Sequence, residues 1–136
     1  MKQMAQEVKE DLPPTFITAD DVGKEGWILK ESRWLKDWRK RWFVLTKDKK
    51  WLLSFKEERN YAKPTETIKV QTCRTVKSIE DETNMPNTFK LDAAGTIYRL
   101  QALSKEEKEG WIGSLGQAMI KKSVLVDPMF DEMPDI

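Results

Sequence analysis

Between Gly23 and Leu103 the apolar residues fall in short runs of alternating or strand-length pattern, broken by turn formers. After Ser104 the period changes to that of a helix. A strand must bury a face and an amphipathic helix a stripe, so a run of short strands closed by one helix has few solutions. The pattern predicts a mainly β fold: a seven-stranded antiparallel sandwich or barrel whose open end is plugged by a C-terminal amphipathic helix.

The strands are read from Trp27-Ile28-Leu29, Trp38 to Thr46, Trp51 to Phe55, Thr67 to Val70, Val76 with Ile79, Phe89 with Leu91, and Ile97 to Leu103. Lys47-Asp48-Lys49, Asn84-Met85-Pro86-Asn87 and Ala94-Gly95 read as turns, and Glu57 to Thr65 as a charged loop. Ser104 and Glu107 have the spacing of a capping box. Trp111, Leu115 and Met119, with Ile112 and Ala118 beside them, make the apolar stripe of a helix expected from Lys105 to about Lys121. Gly110, Gly113 and Gly116 each lower its intrinsic propensity by about 1 kcal/mol relative to Ala, so the helix depends on packing. The expected division is a tail or docked arm over residues 1–22, the folded domain over 23–122, and a flexible acidic tail over 123–136.

Charge is nearly balanced over the 136 residues, at +1 net, yet it is not evenly spread. From Lys30 to Leu45 six cations (Lys30, Arg33, Lys36, Arg39, Lys40, Arg41) stand against Glu31 and Asp37, with three tryptophans among them. A local excess of this kind favours an anionic surface or ligand. Arg39 and Arg41 share strand parity, so both guanidinium groups face one way, and the guanidinium fork matches phosphate oxygens. Trp34-Leu35 falls in the polar connection, off both strand patterns. It either enters a membrane interface or folds back on the barrel. The cations themselves are either a lipid contact or a solvated strand face. Trp111 reads as core, and Trp27, Trp38, Trp42 and Trp51 as core or half-buried strand residues.

Histidine is absent, which removes the commonest general acid–base and metal ligand. The single cysteine, Cys73, permits no internal disulfide and suits a reducing compartment. No phosphate-binding glycine loop occurs. No apolar run is long enough to span a membrane, and Met1 to Ala5 carries no signal-peptide core or myristoylation signal. Catalysis, a cofactor and a metal are not expected.

Glu25-Gly26-Trp27-Ile28-Leu29-Lys30, the run Leu35-Lys36-Asp37-Trp38-Arg39-Lys40-Arg41-Trp42-Phe43-Val44-Leu45, and Glu107-Lys108-Glu109-Gly110-Trp111-Ile112 together resemble the pleckstrin homology (PH) domain over about Gly23 to Lys122. The resemblance implies a seven-stranded bent sandwich closed by the late helix. It also implies a phosphate-binding role for Lys30 and Arg41, with Lys36 and Arg39 as further candidates. From the basic run itself Arg33 is expected as another headgroup contact, and Trp34 and Leu35 are the candidates for membrane insertion. Two positions depart from the pattern of tight polyphosphoinositide binders. Ser54 stands where they carry tyrosine, and Thr65 follows Pro64 where they carry a basic residue. A smaller headgroup, such as phosphatidic acid, therefore stands beside a phosphoinositide as the ligand. The length is similar to that of short plant PH proteins and of the acylated PH proteins of apicomplexan parasites, which sense phosphatidic acid. The expectation is a monomeric, cytoplasmic protein, peripheral at an anionic membrane. The alternative is a protein-interaction module without a specific lipid, and near-zero net charge speaks against nucleic acid.

Overall fold

The computed structural model describes residues 12–126, with side chains to residue 120. Expectations for the outermost residues at each end lie outside it. Seven antiparallel strands form one sheet: β1 (Val22–Glu31), β2 (Trp38–Thr46), β3 (Trp51–Phe55), β4 (Glu66–Lys69), β5 (Cys73–Ser78), β6 (Thr88–Ala93) and β7 (Thr96–Ala102). Their order across the sheet is β4-β3-β2-β1-β7-β6-β5, so β4 and β5 remain edges and the sheet does not close into a barrel. A short helix α1 (Glu80–Thr83) lies between β5 and β6, and α2 (Lys105–Val126) follows β7.

One face of the bent sheet wraps the main core. Ile28, Phe43, Leu45, Leu52, Ile68, Phe89, Leu91 and Leu100 meet Trp111, Leu115 and Ala118 of α2 there. Ile112 and Met119 pack at its margin. Trp111 is fully buried, as a core plug should be. It reaches β1 across Gly26: a Cβ there would stand 3.2 Å from Glu107 Oε1 and 3.8 Å from Trp111 Nε1. The absent side chain is what lets helix and strand approach, which gives the glycine before Trp27 its reason. The capping box is half made. Glu107 N–H donates to Ser104 Oγ (3.1 Å), while the Glu107 carboxylate lies against Gly26 instead of returning to Ser104.

Several boundaries differ from the sequence reading. β1 begins at Val22 rather than near Trp27, because Lys24 sits over the Trp111 ring (5.1 Å) and Glu25 is bonded by Trp42 and Tyr61, so both charges are accommodated. β5 ends at Ser78. Ile79 leaves the strand to become a fully buried residue at the start of α1, whose first turn carries Glu80, Asp81 and Glu82 where the helix dipole favours acids. The fourth strand is Glu66–Lys69, with Val70 in a 3-10 turn. α2 runs five residues past Lys121, to Val126.

β2 and β3 are apolar at both parities, and a second cluster covers their outer face: Trp42, Val44, Trp51, Leu53 and Phe55, with Ile17 from the N-terminal arm. Glu25 is its polar centre. Its Oε1 accepts from Trp42 Nε1 (2.9 Å) and Tyr61 Oη (2.7 Å), and Arg59 lies 3.4 Å from its other oxygen. Burial first, and then the bond to Glu25, push the Tyr61 hydroxyl up to about 12. Trp27 meets Trp42 edge-on at 5.2 Å, and Trp27 and Trp38 are half-buried. Among the described residues no helix is long and apolar enough to cross a membrane.

Candidate functional site

The pleat that builds the core also builds the site. Along β1 the inward residues run Gly26, Ile28, Lys30; along β2 they run Leu45, Phe43, Arg41, Arg39. Gly26 meets the helix, Ile28 and Phe43 fill the centre, and Lys30, Arg41 and Arg39 emerge at the far end, where α2 does not reach. On β3 and β4 the same face passes from Leu52 to Ser54 and from Ile68 to Glu66. These inward positions converge on a cavity of about 330 Å³, lined by Lys30, Arg33, Arg39, Arg41, Ser54 and Glu66 together with Ser32, Trp34 and Thr65.

Of the cations singled out in the sequence, Lys30, Arg33, Arg39 and Arg41 therefore meet in one mouth. Lys36 is absent from its lining. It sits in the β1–β2 loop with φ of 61°, a left-handed conformation no strand parity governs. Lys40, of opposite parity to its neighbours, lies 4.5 Å over Trp27 on the outer face. Such spacing gives a cation–π contact rather than a ligand contact.

The loop that carries Trp34 is tied. Ser32 N–H donates to Asp37 O (2.6 Å), Lys36 N–H to Ser32 O (3.0 Å), and Leu35 N–H to Ser32 Oγ (3.2 Å). Trp34 is 88% exposed and Leu35 67%, so the pair projects from the loop and does not fold back on the sheet.

Within the mouth the charges are partly paired. Lys30 Nζ stands 3.0 Å from Glu66 Oε1 and 6.0 Å over the Tyr98 ring. Arg39 Nε is 3.6 Å from Asp37, and Arg41 Nη1 donates to Lys40 O (2.9 Å). These pairs leave most guanidinium donors of both arginines uncommitted. The Tyr98 hydroxyl is pushed up by burial first and by the charge of Glu66 second. Ser54 and Thr65, the two departures noted in the sequence, share a 2.7 Å hydroxyl–hydroxyl bond at the wall.

Glu66 was not identified from sequence. Its placement follows from the register that sets it opposite Ser54, two residues before the core residue Ile68. Cys73 does not line the cavity, and burial, and then Asp92, raise its thiol to about 11, so thiolate is scarce at neutral pH. No group of metal-ligating side chains occurs among the described residues.

Comparison with known proteins agrees with the fold. The family model described as "PH domain" matches residues 22–119. The chain is 36% identical over 104 residues to pleckstrin homology domain-containing protein 1 of Arabidopsis thaliana, covering 74% of this chain and 70% of that protein. It is 31% identical over 144 residues to human cytohesin-3, covering 89% of this chain but only 33% of that longer protein. The C-terminal PH domain of pleckstrin, solved in complex with D-myo-Ins(1,2,3,4,5)P5, superposes with a TM-score of 0.59 at 28% identity, over 71% of this chain and 97% of that one. The chain belongs to the PH domain family.

Proposed function

We propose that this protein is a membrane-recruitment module that binds an anionic phospholipid headgroup, phosphatidic acid or a phosphoinositide, in the cationic mouth. PH folds are typically non-catalytic binding modules, and the pleckstrin relative was solved with an inositol phosphate. The observation that carries the reading is the convergence of Lys30, Arg33, Arg39 and Arg41 on one cavity, beside an exposed Trp34.

Four cations at about 1 kcal/mol each near an anionic leaflet supply roughly 4 kcal/mol, which corresponds to weak and reversible recruitment. Guanidinium forks on Arg39 and Arg41 hold the phosphate, Lys30 adds a point charge, and Trp34 with Leu35 enters the interface. The protein then works as a monomer, peripheral at a cytoplasmic membrane surface.

Vesicle pelleting tests this. Wild-type protein should sediment with vesicles containing phosphatidic acid or a phosphoinositide, and Lys30→Glu and Arg41→Glu should stay in solution. Indifference of the wild type to every anionic lipid would overturn the reading and leave the interaction-module alternative.

A further inference from the structure

Glu66 is out of character in a mouth that otherwise gathers positive charge. It opens β4, faces the same way as the core residue Ile68, and sits opposite Ser54 in the β3–β4 register. Its carboxylate is only partly exposed and engages Lys30 at 3.0 Å. A pocket selected for negative charge alone gains nothing from a carboxylate on its first cation.

We infer that Glu66 is a specificity residue: it accepts a hydrogen bond from a hydroxyl beside the ligand's phosphate, so the mouth prefers a phosphorylated polyol to a bare phosphate monoester. This rests on the headgroup reading above and deepens it.

A carboxylate can only accept, and it offers about four acceptor positions across its two oxygens. Lys30 occupies one of them. The neighbouring hydroxyls do not take the rest, because Ser54 and Thr65 bond each other at 2.7 Å and Thr65 also donates to Ser54 O at 3.2 Å. Acceptor capacity therefore faces the cavity, which is also lined by the arginines that would hold a phosphate.

A bare phosphate supplies only acceptors and negative charge. Beside Glu66 it sets a second anion in a partly desolvated space, with the Lys30 ammonium shared between the two. A hydroxyl on the adjacent carbon changes that contact from repulsion to a charge-assisted hydrogen bond. An ammonium would serve as a donor too, but it would add a cation to a cavity already holding Lys30, Arg33, Arg39 and Arg41. A neutral hydroxyl is the donor that fits.

The test compares methyl phosphate with myo-inositol 1-phosphate, two monoesters of the same charge, by amide-shift titration of wild type, Glu66→Gln and Glu66→Ala. In the wild type the inositol ester should bind at least about tenfold more tightly, the lower end of the scale of one hydrogen bond to a charged group. In both variants methyl phosphate should tighten and the preference should fall to about twofold or less. If both ligands tighten by the same factor in the variants, Glu66 acts by charge alone and the inference is overturned.

Arg41→Glu separates this failure from that of the mouth itself. Should it leave inositol 1-phosphate binding untouched, the headgroup reading falls as well. Vesicles carrying phosphatidylinositol 4-phosphate or phosphatidic acid identify the source. The same preference on vesicles assigns a lipid, and a preference confined to soluble esters assigns a free polyol phosphate.

Discussion

At one end of the sheet Trp111 fills the interior, fully buried, and α2 seals it; at the other the same inward faces continue into Lys30, Arg39, Arg41 and Glu66 and stay open. Only two residues of β1 separate each stage, from Gly26 against the helix to Ile28 in the core to Lys30 in the mouth. The contrast shows how a sandwich with two open ends divides its labour. Apolar area closes one end and supplies stability. Charge at the other end adds little to folding and is available for binding.

The largest expected effect is at the closed end. Trp111→Ala should cost about 3–5 kcal/mol of stability, measured as a lowered denaturation midpoint, with Trp111→Phe costing less. Headgroup affinity of the molecules that remain folded should not change. Next comes the mouth. Arg41→Glu reverses charge by two, so at about 1 kcal/mol per charge it should weaken vesicle binding about thirtyfold. Its unfolding free energy should shift by no more than about 0.5 kcal/mol.

A smaller effect belongs to the loop tip. Trp34→Ala should weaken partition onto bilayers by about 1 kcal/mol, the value of partial indole burial, and leave soluble headgroup affinity alone. Equal losses in both assays would show that Trp34 does not insert.

The smallest concerns acid. Lys108, nearly buried on α2, reaches Glu80 of α1 at 3.0 Å and Ser78 of β5 at 3.1 Å. The Asn87 amide, and then Lys108, hold the Glu80 carboxyl below its usual range. A lowered native pKa means stability that is present above the unfolded carboxyl's titration and is lost as pH falls through the native one. Thermal midpoints should therefore decline below about pH 4.5, less steeply in Glu80→Gln. Such a slope marks the closed end, and Arg41→Glu should retain it.

The two ends also differed in how far the sequence disclosed them. Alternation placed most strands, and the change of period at Ser104 placed α2 and its buried Trp111, because burial on one face leaves a periodic trace. Parity likewise brought Arg39 and Arg41 together and set Lys40 apart. Residues outside strands had no such guide. Lys36 lies in a left-handed turn position, so its membership of the basic run did not bring it to the mouth. Glu66 became visible only through the register between β3 and β4, a relation between segments separated by a long loop. The outer cluster was foreshadowed by Trp42-Phe43-Val44-Leu45, since a run apolar at both parities needs cover on both faces. α1 left only its acidic first turn as a sign.

The central claim is that an anionic headgroup enters the open end and not the sealed one. Titration with short-chain phosphatidic acid and a short-chain phosphoinositide, followed by amide shifts, tests it most directly. The account predicts saturable shifts at Lys30 to Arg41 and Ser54 to Glu66, with α2 unmoved. Shifts centred on α2, or none that saturate with either lipid, would contradict it.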